Sequence, residues 1–145
     1  MSYWDTSALG KLYIPEPDST AFARKAVEEN EIVTSRIGFY EIRRLAFRKE
    51  SEGLIRPGGA EAVLTHVVED IDSGQLRIVE LGAQVEAAFL DILVACHRRN
   101  PSMPIRTLDG IHLASAKVDP QTELVATDRR IREAGKLLGF TLFPV

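Results

Sequence analysis

Four carboxylates, Asp5, Glu41, Asp109 and Asp128, sit where charge needs a reason. Leu124-Val125-Ala126-Thr127 reads as a short buried strand that stops at Thr127 and turns straight into a helix, with Asp128 at the turn. Asp5 stands in the same relation to Ser2-Tyr3-Trp4. In an open parallel sheet, ligands bind at the carboxyl ends of strands. Taken singly, each acid has an ordinary explanation, since Asp is a favoured helix N-cap. Taken together, four neighbouring carboxylates repel, raise each other's pKa and cost stability. The nearest cations, Arg43, Arg44, Arg129 and Arg130, flank the motifs and leave a divalent metal as the natural compensator. Oxygen-only ligands select Mg²⁺ or Mn²⁺ over zinc. Such a site suits hydrolysis of a phosphodiester, where a metal activates water and neutralises phosphate charge.

The elements that must carry these acids follow from hydrophobic periodicity. A first helix after Asp5, capped by Thr6 or Ser7, has Leu9, Leu12 and Tyr13 on one face and stops at Pro15. A second, capped by Asp18 or Ser19, turns Phe22, Ala23, Ala26 and Val27 inward, and Glu31 to Ser35 is a second strand. The third helix runs from about Arg36 to Glu50. Its Ile37, Glu41 and Leu45 are spaced i, i+4, i+8, so Glu41 shares an edge of the apolar face. Pro57 suits a first helical position and opens a helix striped by Ala60, Val63, Leu64, Val67 and Ile71. Leu76 to Leu81 is a strand, and Val85 to Cys96 a long amphipathic helix ending before Asn100-Pro101. Thr107 as N-cap would put Asp109 in the first turn of a helix of small residues. After Asp128, Ile131, Ala134 and Leu138 point inward, Gly139 takes the C′ position, and Phe140 to Val145 is a last strand. Strands alternating with helices predict an α/β fold with a parallel sheet covered on both faces. Right-handed crossovers then put Asp5 and Asp128 on one rim.

Length and composition agree with a single domain over residues 1–145. The chain is 45% hydrophobic and 27% charged, and its net charge of −3 argues against broad non-specific binding of nucleic acid without excluding a nucleic-acid enzyme. No apolar run approaches the roughly 18 residues of a membrane helix, and no signal peptide is visible. With one cysteine, Cys96, there is no internal disulfide, and the cytoplasm is the expected compartment.

The motifs also carry a resemblance. Asp5-Thr6-Ser7-Ala8-Leu9 with Lys11-Leu12-Tyr13, Ser35 ahead of Tyr40-Glu41, Leu108-Asp109-Gly110-Ile111-His112-Leu113-Ala114-Ser115-Ala116, and Leu124 to Ile131 followed by Ala134 and Leu138-Gly139 resemble the PIN-domain proteins. Among these they are similar to the VapC-type ribonuclease toxins of toxin–antitoxin pairs. The resemblance implies a three-layer α/β/α sandwich with a five-stranded parallel sheet and Mg²⁺- or Mn²⁺-dependent cleavage of RNA. It also implies a homodimer and a cognate antitoxin protein. Residue by residue, it makes Asp5, Glu41, Asp109 and Asp128 the catalytic, metal-holding acids, with Ser7 and Thr127 as supporting hydroxyls. Gly110 departs from the pattern, where a larger residue such as Ala is usual, and is expected to loosen the helix start slightly.

His112, three residues after Asp109, reads as a packed histidine near the site, and Trp4 and Cys96 as core. Arg43, Arg44, Arg129 and Arg130 could position RNA phosphates or simply form solvated helix faces. Two other functions stay open: a receiver-like phosphoacceptor, which would need a late strand-end lysine where this chain has Thr127-Asp128, and a non-catalytic PIN-like interaction module.

Overall fold

A computed structural model describes residues 2–119 and 121–145. Five short strands, β1 (Ser2–Trp4), β2 (Ile32–Ser35), β3 (Leu76–Val79), β4 (Glu123–Val125) and β5 (Thr141–Phe143), form one sheet. All pairings are parallel and the order is β3-β2-β1-β4-β5. Side chains alternate across a strand, and that alternation builds two cores. Tyr3 and Leu124 face one way, into a layer made by α5 (Ala83–His97), α6 (Thr107–Val118) and α7 (Arg129–Leu137). Trp4 and Val125 face the other, toward α1 (Thr6–Gly10), α2 (Ser19–Val27), α3 (Arg36–Ser51) and α4 (Gly59–Asp72). This is the expected three-layer α/β/α sandwich. Its strand order differs from the 2-1-3-4-5 order of receiver-type folds, which removes the phosphoacceptor alternative.

Chain direction across the sheet reverses at β1 and β4, which are hydrogen-bonded neighbours with Trp4 opposite Val125. Beyond that pair the two chains turn to opposite layers, β1 into α1 and β4 into α7. A crevice opens where they part, the usual ligand position in such sheets.

Several local expectations are corrected. The β4 ladder ends at Val125 rather than Thr127, because its partner β5 runs out at Phe143 before Pro144, which has no N–H to continue a ladder. Arg132 closes this end by donating to the carbonyls of Ala126 and Pro144 at 2.8 and 2.6 Å. Likewise β3 stops at Val79. The first helix is capped by Asp5, not by Thr6 or Ser7. Arg106 is the residue before α6, so Thr107 is its first helical residue and not its cap. Gly58, left-handed at φ 84°, precedes α4 in place of the expected Pro57 start. Val27 is exposed, since Phe22 is the residue of α2 that reaches the core. Trp4 and Cys96 are fully buried, and Gly139, at φ 93°, follows α7 as expected.

Gly110 does more than loosen a helix start. A Cβ there would lie 2.6 Å from Phe89 Cε1, so the glycine is the space into which the α5 ring packs. Gly110→Ala gains about 1 kcal/mol of helix propensity but overpacks the contact, at a cost of about 1–3 kcal/mol. The variant should therefore be less stable than wild type in urea. In a Phe89→Ala background the same change should become stabilising. Equal effects in both backgrounds would show that the ring does not depend on the glycine.

Candidate active site

Asp5 is the most buried of the four acids, at 1% exposure. One oxygen, Oδ1, accepts from the Ala8 N–H at 2.8 Å as the cap of α1, and its own N–H continues the ladder by donating to the Val125 carbonyl at 3.0 Å. The second oxygen, Oδ2, is buried without a hydrogen-bond partner. Burial pushes this carboxyl up from 3.8 to about 6, against the pull of the Ala8 N–H, His112 and the Asp128 backbone N–H and with a push from the Asp128 charge. Asp128 caps α7 by accepting from the Ile131 N–H at 3.0 Å, and is otherwise exposed. Asp109 stands in the first turn of α6, and burial and then the charge of Asp128 raise its carboxyl above the ordinary range. Glu41 also raises it. Asp5, Asp109, Asp128 and Glu41 thus lie in one electrostatic neighbourhood above the β1–β4 crevice.

Glu41 is arranged differently. Its Oε1 accepts from Thr6 Oγ1 at 2.8 Å and lies 2.5 Å from His112 Nε2. Burial opposes the charge, but the bonds from His112 and Thr6 hold this carboxyl below its ordinary value. Because Asp5 takes the cap of α1, the Thr6 hydroxyl is free for Glu41. Behind His112, Tyr3 Oη lies 2.6 Å from Nδ1 and accepts from the Ser35 N–H at 3.1 Å. Ser35 also caps α3, the helix that carries Glu41. Sequence reasoning read His112 as packed, which it is at 2% exposure, but missed the Tyr3–His112–Glu41–Thr6 chain. Two signals pointed toward it. Asp109 and His112 are three apart on one helix face, and Tyr3 and Asp5 alternate to one side of β1.

Ser7 and Thr127 line one small cleft of about 260 Å³ with Lys11, Arg48 and Lys49. The four flanking arginines are all exposed. Arg43 lies over the Phe39 ring at 5.2 Å, and Arg129 pairs with Glu133 at 2.8 Å.

The donors suit a hard cation: carboxylate oxygens, one of them buried and unpartnered, while both nitrogens of His112 are already engaged. Among the described residues, no three His, Cys, Asp or Glu side chains are gathered tightly enough to hold a metal ion. Mg²⁺ needs no such cluster, since it keeps several waters and takes one or two carboxylates.

The family profile of the PIN domain matches residues 2–137. This chain belongs to the PIN domain family. Solved structures align over nearly its whole length. VapC20 of Mycobacterium tuberculosis, a sarcin-ricin loop cleaving toxin, aligns with a TM-score of 0.68 at 18% identity, covering 93% of this chain and 95% of that one. FitAcB of Neisseria gonorrhoeae gives 0.66 at 18%, covering 99% and 96%. VapBC2 of Rickettsia felis, bound to a DNA fragment from its promoter, gives 0.67 at 15%, covering 98% and 97%. At these identities the likeness is one of fold. Comparison with curated proteins gives no match.

The raised Asp5 carboxyl makes a pH prediction. Between 3.8 and about 6 the folded PIN domain binds more protons here than the unfolded chain, so this group costs stability as pH rises through that window. Above the window the cost is fully present; below it, absent. Glu41 acts with the opposite sign, so the comparison is wild type against Asp5→Asn, both in EDTA. The variant should gain on wild type as pH rises from about 4 to about 6, reaching on the order of 2 kcal/mol. A gap in urea denaturation that does not change with pH would show that the carboxyl is not strained.

Proposed function

We propose that this PIN domain is a metal-dependent endoribonuclease that hydrolyses RNA phosphodiester bonds as the toxin of a type II toxin–antitoxin pair. The observation that carries the reading is the acid rim at the β1–β4 crevice, with Asp5 Oδ2 buried and unpartnered among further carboxylates. A bound Mg²⁺ or Mn²⁺ would supply Lewis acidity toward the scissile phosphate and a water of lowered pKa. Asp5, Glu41, Asp109 and Asp128 would hold it, one or two of them directly and the others through its waters. Asp5 brings an oxygen already stripped of water, and Asp128 keeps one oxygen on the α7 cap while offering the other. Ser7 and Thr127, which line a small cleft of their own with Lys11, Arg48 and Lys49, would be the hydroxyls that support the metal's waters or phosphate oxygens. Arg44 and Arg130 are open to an RNA backbone, whereas Arg43 and Arg129 would have to leave Phe39 and Glu133 first.

The toxin reading is supported by the VapC, FitAcB and VapBC2 structures, whose names are those of toxins and toxin–antitoxin complexes. The partner is a cognate antitoxin, and an Arg or Lys from it would compete for the acid rim. The toxin would act as a homodimer. No described helix is long and apolar enough to cross a membrane.

Purified protein should cleave RNA with Mg²⁺ or Mn²⁺ and lose cleavage in EDTA. Asp5→Asn, Glu41→Gln, Asp109→Asn and Asp128→Asn should each reduce cleavage by about 100-fold or more, because each removes charge stabilisation at the reacting phosphate. Wild-type rates in two of the four would refute the assignment. Expression alone should arrest growth of a bacterial host, relieved by the co-expressed antitoxin.

Metal binding should also be visible in stability. At ten times Kd a ligand of the folded state adds about 1.4 kcal/mol. For 145 residues this raises Tm by about 4–5 °C. Asp109→Asn should shift less with Mn²⁺ than wild type does. An equal shift would place the metal elsewhere.

A further inference from the structure

The chain from Tyr3 to Glu41 is built in one direction. The Tyr3 oxygen accepts from the Ser35 N–H and lies 2.6 Å from Nδ1 of His112, and of these two partners only Nδ1 can take the phenol proton. A ring nitrogen that accepts leaves the proton on the other one. Nε2 therefore carries the N–H, and it points at Glu41 from 2.5 Å. Thr6 Oγ1 donates to the same oxygen, Oε1. Two donors thus converge on one side of the carboxylate, and Oε2 has no hydrogen-bond partner among the described residues.

The ring has no freedom to do otherwise. His112 is 2% exposed, and a Cβ at Gly38 on α3 would stand 3.4 Å from its Cε1 and 2.4 Å from Thr34 Oγ1. Glycine at that position leaves room for the Thr34 side chain of β2, while the ring would stand at ordinary contact distance from a Cβ there. Tyr3 meets the ring edge-on at 69°.

We infer that His112 is a positioning residue, held as its Nε2–H tautomer by Tyr3, which fixes Glu41 by one oxygen so that the other faces a cation or its waters. In metal sites an outer partner commonly orients a ligating histidine; here the imidazole orients the acid. The inference rests on the proposed role of Glu41 in the metal-holding set.

Two measurements test it. Nitrogen NMR of EDTA-treated protein in mildly alkaline buffer should show a protonated Nε2 and a bare Nδ1 for His112, and Tyr3→Phe should shift that balance. A proton on Nδ1 in wild type overturns the inference. Mn²⁺ titration by calorimetry then reads the function without any cleavage. His112→Leu should weaken binding by about tenfold, and His112→Gln, which keeps a donor near Glu41, should recover most of it. In a Glu41→Gln background His112→Leu should change Kd by less than about twofold, the limit of additive behaviour. A full tenfold loss in that background means that His112 acts through packing alone, and the inference fails. Should His112→Leu not fold, Tyr3→Phe enters the same cycle, with a smaller loss that also vanishes with Glu41. Wild-type binding of Mn²⁺ that Asp109→Asn weakens, combined with additive effects at His112 and Glu41, overturns this inference and leaves the metal reading standing. No Mn²⁺ binding by wild type overturns both.

Discussion

Everything at the site depends on β1 lying beside β4 in the middle of the sheet. These two strands are among the shortest in the fold, at three residues each. They are also wholly or nearly buried, because both faces are covered by helices. Such strands survive only as part of a sheet, so the pairing and the two apolar layers stabilise one another. The direction reversal at this pair sends one chain up and the other down, and Asp5 and Asp128 sit on the residues that make the two turns. Asp5 even remains within the ladder through its N–H while its side chain has already left it.

That placement is costly, and the costs are distributed unevenly. Asp5 bears most of the desolvation and lacks a partner for one oxygen. Asp128 avoids it by lying at the surface and capping a helix. Glu41 is relieved by His112 and Thr6. The acids are therefore not equivalent. Two of them are needed locally as helix caps whether or not a ligand binds, while Asp109 has no structural duty among the described contacts. A site that strains its own fold in this way is where stability is exchanged for function.

The packing around the acids explains why the intervening residues are small or odd. Gly38 makes room for the Thr34 side chain of β2, and Gly110 admits the Phe89 ring at the start of the helix that presents Asp109. Arg132 ties the end of β4 to the end of β5. It thereby braces the residues that lead into Asp128.

The sequence by itself determined the alternation of strands and helices, the faces of most helices, and the acids at element ends, Asp5, Asp109 and Asp128. Those features are local, set by periods of two and 3.6 residues and by the chemistry of a capping Asp. Composition and motifs were enough to place the chain among PIN domains, as the family profile over residues 2–137 bears out. Only the tertiary structure decided the strand order, the side on which Val27 falls, and which donor each acid meets. The bond from His112 to Glu41 spans 71 residues and that from Tyr3 to His112 spans 109. No periodicity reaches that far. Whether a buried histidine packs or orients a carboxylate depends on what two distant helices bring within 3 Å of it, and that is settled only when the sheet has closed.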